Sequence, residues 1–350
     1  MEPVNLMDLT LEETEKLVAT LGEPRYRAKQ VHKWVHQKAA GDFDRMTDLP
    51  AGFREKLRAI STTGKLAVLA VQKAGDGTAK YLFGLRDGQS VESVFLPHTY
   101  GNSVCVSSQV GCRMGCGFCA SAIGGLVRCL TAGEMYAQVT GIGEDTGQRV
   151  SSIVIMGSGE PMDNLDQVLK FIHLIISPDG LNIGARHITV STCGVVPGIR
   201  RLAGEKVQVT LSVSLHAPND ELRDSIMPVN RKYPVRELVE ACRDYVSVTN
   251  RRVTFEYALI DGINDSREQA IELARLLKGM LCHVNLIPLN RVEERSFRQP
   301  GPGRVRVFKD TLDEMGIPVT VRREMGAGID AACGQLRRKS AGGKAETAGR

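Results

Sequence analysis

Three cysteines, Cys112, Cys116 and Cys119, stand three and two residues apart in the stretch Cys112-Arg113-Met114-Gly115-Cys116-Gly117-Phe118-Cys119. Thiolates bind iron-sulfur clusters or zinc, and so tight a run can ligate one centre when small neighbours let the backbone wrap around it. Gly111, Gly115 and Gly117 give that freedom. A structural zinc site or an electron-carrying cluster normally takes a fourth protein ligand, so a run that stops at three implies an open coordination position, and with it catalysis. Three blander readings compete: small buried residues, a zinc site completed by a remote Cys or His, and a disulfide framework.

The elements around this loop read as alternating strand and helix. Apolar strand candidates are Val104 to Ser107, Ile153 to Met156, His187 to Ser191, Val209 to Leu215, Val253 to Ile260 and His283 to Leu289. Helix candidates between and after them are Ala132 to Ile142, Leu165 to Ile176, Val196 to Ala203, Val235 to Val246, Arg267 to Leu277 and Val305 to Met315. Six such repeats with buried-strand character predict an α/β fold of parallel strands covered by helices. A partial barrel and a doubly wound sheet both satisfy the pattern, and both gather their sites at the C-terminal strand ends. The suspicious residues follow strands: the cysteine loop, Gly157-Ser158-Gly159-Glu160-Pro161, Ser191-Thr192-Cys193-Gly194, Ser214-Leu215-His216 and Asn290. Each turn alone is a weak signal, and their joint arrival at one end of a sheet is a stronger one.

Upstream, the period changes. Leu66 to Val71, Lys80 to Leu85 and Val91 to Leu96 read as antiparallel strands joined by turns at Gly75-Asp76-Gly77 and Asp87-Gly88. Glu92 falls in the third of these, where alternation alone points it outward. Residues 1–60 read as a separate helical unit. Thr10 and Glu13 form a capping box, a second helix runs from Tyr26 to Lys38, and a third starts near Pro50. Ten Lys or Arg, with Trp34 among them, suit an RNA-facing module, and a solvated helical face looks the same. The expected domains are thus a basic helical accessory domain at 1–60, an antiparallel region at 61–100, a catalytic domain at 101–336 and a disordered basic tail at 337–350.

The 350-residue chain has 42% apolar and 24% charged residues, with a net charge of +5. This is ordinary for a soluble domain and permits a nucleic-acid partner without requiring one. No apolar run approaches the roughly 20 residues of a membrane span, and the acidic, amphipathic start is unlike a signal sequence. Nine cysteines, three of them clustered, fit a reducing compartment, so a cytoplasmic location is expected. Cys193, Cys242 and Cys282 lie in apolar segments and read as buried packing residues.

The cysteine spacing, with Phe118 before the last cysteine, resembles the signature of the radical S-adenosylmethionine enzymes. The stretches VCVSSQVGCRMGCGFC, MGSGEPMDN, SLHAPNDELRDSIMPVN and IDAACGQL together resemble the adenine carbon-2 methyltransferases of 23S ribosomal RNA, a family that also methylates certain transfer RNAs. That resemblance implies a partial (β/α)6 barrel of the radical S-adenosylmethionine type. It implies a four-iron, four-sulfur cluster on Cys112, Cys116 and Cys119, with S-adenosylmethionine chelated to the fourth iron. Gly159 and Glu160 match the contact to the methionine amino group. Ser191, Ser214, Leu215 and His216 match ribose and carboxylate contacts, and Asn290 a further cofactor contact.

Carbon 2 of adenine is electron-poor and carries no acidic proton, so a polar methyl transfer is implausible there. By resemblance, Cys333 takes a methyl group from one S-adenosylmethionine, and a radical from a second removes hydrogen from it. The carbon radical adds to the adenine, Cys105 forms a disulfide with Cys333 to release the product, and Glu92 accepts the proton. The resemblance also implies a monomer and an electron donor such as flavodoxin or ferredoxin. Sister activity at carbon 8 of the same adenine uses the same cysteines and is the nearest alternative; a non-catalytic RNA-binding protein with structural zinc is the alternative of another class. The sequence departs from the family pattern at Ser121, Cys129, Ser158 and Asp163.

Overall fold

A computed structural model describes residues 3–289, 296–322, 325–326, 329 and 335–337. The N-terminal unit closes on itself, because β1 (Val4–Asn5) pairs in parallel with β2 (Ser61–Thr62). Between them lie α1 (Leu11–Thr20), α2 (Tyr26–His32) and α3 (Ala51–Ile60). The capping box is present: Glu13 N donates to Thr10 Oγ1 at 3.2 Å and Thr10 N to Glu13 Oε2 at 2.8 Å. The helix expected to run from Tyr26 to Lys38 changes at His32 into a π-helical turn over Lys33–Gln37. Tyr136 Oη donates to the His36 carbonyl at 2.8 Å, so a partner outside the helix serves that group.

The basic character of this unit is largely neutralised. Its first sixty residues also hold ten Asp or Glu. Lys16, Arg25, Arg45, Arg54, Lys56 and Arg58 all pair with carboxylates. Arg27, Lys29, Lys33 and Lys38 remain, all on α2 and its continuation, with Lys38 Nζ lying 3.4 Å from the centre of the Trp34 ring.

Among the described residues ten strands form one sheet. The strands β3 (Ala67–Lys73), β4 (Ala79–Gly84) and β5 (Ser90–Leu96) are antiparallel, as expected, with Gly77 and Gly88 at positive φ in their turns. They are not a separate sheet: β5 pairs with β6 (Asn102–Cys105), so hydrogen bonding runs unbroken across residue 100. A small hairpin follows, β7 (Gln109–Gly111) with β8 (Leu126–Cys129). Then β9 (Val150–Ile155), β10 (Ile188–Thr192), β11 (Thr210–Ser214), β12 (Val253–Leu259), β13 (Cys282–Pro288) and β14 (Val319–Val321) join β6 in parallel.

The parallel strands follow one another in chain order with no reversal. That selects the partial barrel, since a doubly wound sheet reverses at a switch point. The helices α4 (Ala132–Thr146), α5 (Leu165–Ile176), α6 (Val196–Gly204), α8 (Val235–Thr249), α9 (Arg267–Leu277) and α10 (Pro302–Glu314) alternate with the strands. A short α7 (Asp220–Ile226) was not expected.

The strands are not apolar on both faces. Register places Ser191, Ser212, Thr254 and His283 in one row, and Ser214, Glu256, Asn285 and Thr320 in the next. The alternate residues Val190, Leu211, Val213, Phe255 and Val284 are buried completely. One face of the partial barrel is therefore a hydrophobic seat and the other a polar lining. No helix among the described residues is long and apolar enough to cross a membrane.

Candidate active site

The cysteine loop is held at both ends by the β7–β8 hairpin. Cys112 N donates to the Gly125 carbonyl at 3.0 Å, and a Cβ added to Gly111, at φ +80°, would lie 2.0 Å from that oxygen. Only glycine fits there. On its far side the loop rests on α7, with Gly117 N donating to the Ile226 carbonyl at 2.8 Å. Cys112 and Cys116 are buried, Cys119 is half-buried, and all three are free thiols.

The three thiols sense one another. Burial pushes Cys112 up to about 11, with Cys119 and Glu160 adding to the effect. Burial also raises Cys116, followed by Cys119 and Cys112. Bound iron inverts this preference, since a coordinating thiol is deprotonated outright. Among the described residues no group of three or more His, Cys, Asp or Glu stands at the spacing of a single-ion site. Cys112, Cys116 and Cys119 act on one another's charge within one loop, and three thiolates on three different irons are the donor set of a four-iron cluster.

Glu160 reaches this loop from the end of β9. Its carboxylate accepts from Met162 N at 2.9 Å and Cys193 N at 2.7 Å, and burial raises its pKa. Gly159, at φ +115°, lies so close to Gln109 that an added Cβ would stand 2.6 Å from the Gln109 Cβ. Glu160 N in turn donates to Gln109 Oε1 at 2.9 Å. Ser191 and Ser214 lie half-buried in the last turns of β10 and β11, whereas Leu215 is completely buried. His216 sits at φ +58°, uncommon for a residue with a side chain, and packs edge-on against Phe118 with ring centres 4.9 Å apart. Ala258 N donates to His216 Nδ1 at 2.9 Å, so the other nitrogen carries the proton. Burial, then Arg223, lowers its pKa to about 3, which keeps the ring neutral.

A second cluster lies on β4, β5 and β6. Register aligns Lys80, Val94 and Cys105 across the three strands, with Glu92 two residues from Val94 on the same face. Glu92 is thus buried, not outward-facing as alternation suggested, because this sheet is covered on both sides. Its Oε2 lies 2.8 Å from Lys80 Nζ, and its Oε1 accepts from Arg337 N at 2.6 Å. Cys105 is buried and its pKa is raised by that burial, against the opposing charges of Arg322 and Lys80. Asn290 and Cys333 lie outside the described residues.

The structure adds Lys80, Arg223 and Glu256 to the residues singled out from sequence. Glu256, on the polar lining, accepts from Ser212 Oγ and Asn285 Nδ2, each at 2.8 Å. It also accounts for most of the departures. Ser121 Oγ and Ser158 Oγ are 3.0 Å apart and satisfy each other, while Asp163 pairs with Arg113 at 2.7 Å. Cys129 Sγ accepts from Gln109 Nε2 at 3.3 Å.

A loop of three cysteines at the C-terminal end of a partial barrel, facing a buried glutamate and a polar strand-end rim, defines a radical S-adenosylmethionine enzyme. Residues 106–274 match the radical SAM superfamily, and residues 4–62 match the ribosomal RNA large subunit methyltransferase N-terminal domain. A protein of Pelotomaculum thermopropionicum named "Probable dual-specificity RNA methyltransferase RlmN" is 62% identical over 97% of this chain and 92% of its own. One of the same name from Desulforamulus reducens is 56% identical over 96% of each. The crystal structure of a radical SAM methyltransferase from Sphaerobacter thermophilus superposes with a TM-score of 0.92 at 50% identity, covering 95% of this chain and 99% of that one. The chain belongs to the RlmN family of dual-specificity RNA methyltransferases. Membership brings a four-iron, four-sulfur cluster and S-adenosylmethionine as cofactors, and sets aside the non-catalytic zinc-protein reading.

Proposed function

We propose that this enzyme methylates carbon 2 of a specific adenine in 23S ribosomal RNA and in some transfer RNAs, through a methylated Cys333. The observation that carries the reading is the meeting of Cys105, Glu92 and Arg337 N. Arg337 lies four residues beyond Cys333 in the chain, and its amide is held 2.6 Å from Glu92, which shares a strand face with Cys105. A thiol and a carboxylate on one strand face are two of the groups that a methylene carried on sulfur needs for release.

Cys112, Cys116 and Cys119 would hold the cluster, which with S-adenosylmethionine bound would supply a carbon radical by one-electron reductive cleavage. Glu160, with Gly159, receives the methionine ammonium; a buried carboxylate facing an ammonium is a charge-assisted contact. Ser191, Ser214, Leu215 and His216 line the ribose and carboxylate, and Asn290 completes the site. Cys333 carries the methyl group from one S-adenosylmethionine and presents it for hydrogen removal by a second. The resulting carbon radical would bond to carbon 2 of the adenine. With one electron returned to the cluster and the carbon-2 proton passed to Glu92, the Cys105 thiolate would attack the Cys333 sulfur. The disulfide forms as the sulfur–carbon bond breaks, and the released carbon takes a proton to become the methyl group. The stretch of α2 and its continuation that carries Lys29, Lys33 and Lys38 holds RNA. The enzyme works as a cytoplasmic monomer fed by a flavodoxin or ferredoxin.

The test is nucleoside mass spectrometry on a ribosomal RNA fragment treated with the anaerobically reconstituted enzyme. 2-Methyladenosine is expected; 8-methyladenosine, or no methylated adenosine, overturns the proposal.

A further inference from the structure

Among the described residues Arg223 is the largest side chain buried completely, at 0% exposure. It stands in α7, and its guanidinium donates to neutral acceptors alone. Nε reaches the Leu215 carbonyl at 3.0 Å, and Nη1 reaches Asn230 Oδ1 at 3.1 Å. Nη2 reaches the Cys193 carbonyl at 2.6 Å and the Ser214 carbonyl at 3.1 Å. Asp220 and Asp224 bond to Asn230 Nδ2 at 3.0 and 2.8 Å and not to the guanidinium, on which the Asp220 charge acts without an ion pair. Among the described residues Arg223 forms no ion pair.

A buried cation without a counter-anion is costly, and folded proteins seldom retain one. Of the groups whose negative charge would act on it as a counter-anion, the sulfurs of Cys193 and Cys116 come first, ahead of Asp220 and Cys242. Cys193 does not supply that anion, because burial and the neighbouring Glu160 keep its thiol protonated. Cys116 belongs to the cysteine loop, which rests on the C-terminal end of α7 through Gly117 N and the Ile226 carbonyl. Three thiolates around a four-iron core make an anion, and reduction adds one more negative charge.

We propose that Arg223 is the countercharge built into the fold for the cluster, and that it eases the cluster's reduction. The inference rests on Cys112, Cys116 and Cys119 being the ligands. Arg223 is a positioning residue as well, since its bonds to the Ser214 and Leu215 carbonyls fix the strand end that lines S-adenosylmethionine. Net charge near a cluster is among the factors that set its potential, and a fixed cation favours the more negative, reduced state.

The test is a potentiometric titration of the reconstituted full-length enzyme, followed by the electron paramagnetic resonance of the reduced cluster, without RNA. Arg223→Gln removes the charge and Arg223→Lys keeps it. The midpoint is expected to move to more negative potential in Arg223→Gln and to stay near the wild-type value in Arg223→Lys. Asn230→Asp, which leaves Arg223 in place and sets a carboxylate against it, should move the midpoint in the same direction as Arg223→Gln, and answers the question should Arg223→Gln not fold. Unchanged midpoints in Arg223→Gln and Asn230→Asp, or equal shifts in the Gln and Lys variants, overturn the inference while leaving the cluster assignment intact. A wild-type enzyme with full iron content but no cluster signal on reduction overturns both.

Discussion

Lys80 and Glu92 form an ion pair with Nζ and Oε2 2.8 Å apart, in which the lysine side chain is 1% exposed and the glutamate 4%. They are diagonal neighbours on β4 and β5, so the pair is fixed by strand register and not by flexible side chains reaching across a surface. It stands beside Cys105, where the release step is proposed.

Replacing Lys80 by Met removes the ammonium bonded to the buried Glu92 carboxylate. Breaking a buried pair in this way costs about 3–5 kcal/mol. Urea unfolding should show Lys80→Met destabilised by that order, and the double variant Lys80→Met/Glu92→Gln should recover part of the loss. A double variant no more stable than Lys80→Met would mean the two side chains do not act as a pair.

Gly111→Ala places a methyl group against the Gly125 carbonyl at a backbone angle that L-residues rarely adopt. Strain of this kind costs on the order of 1–3 kcal/mol before the clash is counted. Purified Gly111→Ala should hold less iron than wild type, with its parallel-strand core intact by circular dichroism. Full iron loading would show that the hairpin does not frame the cysteine loop.

His36 supplies a pH dependence. Burial, with His32 stacked on it at 3.9 Å, lowers its pKa from 6.5 to about 3. Unfolded, it takes up a proton below about pH 6.5; folded, it does not. Its neutral form therefore contributes stability that is complete above pH 6.5 and is lost progressively as pH falls toward 3. Between pH 7 and 4.5 the unfolding free energy should fall less steeply in His36→Gln than in wild type. Equal slopes would place the acid sensitivity elsewhere.

Lys29, Lys33 and Lys38 are the exposed lysines that ion pairing leaves on the N-terminal unit. Substituting all three by Gln should lower the slope of log affinity against log salt for RNA by up to about 0.9 per lost duplex phosphate contact. An unchanged slope would leave this unit without an electrostatic role.

Much of the site was legible because its chemistry follows strands. Glu160, Ser191 and the Ser214–His216 run stand where parallel strands end, the cysteine loop follows a short hairpin strand beyond β6, and turn residues mark those ends. Arg223 was not legible, since a seven-residue helix with two buried side chains carries almost no period and an Arg ordinarily reads as solvated. Lys80 and Glu92 fell to the same rule: alternation assigns charged strand residues outward, and only register shows both turned into a covered face. Ser212, Thr254 and Glu256 alternate with apolar neighbours, yet short strands rich in Val and Ile looked uniformly buried. The departures at Ser121, Ser158 and Asp163 became intelligible only in pairs that sequence separation hides.

The central claim is that a methyl group resides on Cys333 before it reaches RNA. Peptide mass spectrometry of the enzyme purified from cells and of Cys105→Ala tests it most directly. The account predicts that the peptide containing Cys333 is one methyl group heavier than its sequence in wild type, and joined to RNA in Cys105→Ala. An active enzyme whose Cys333 is unmodified throughout turnover would contradict it.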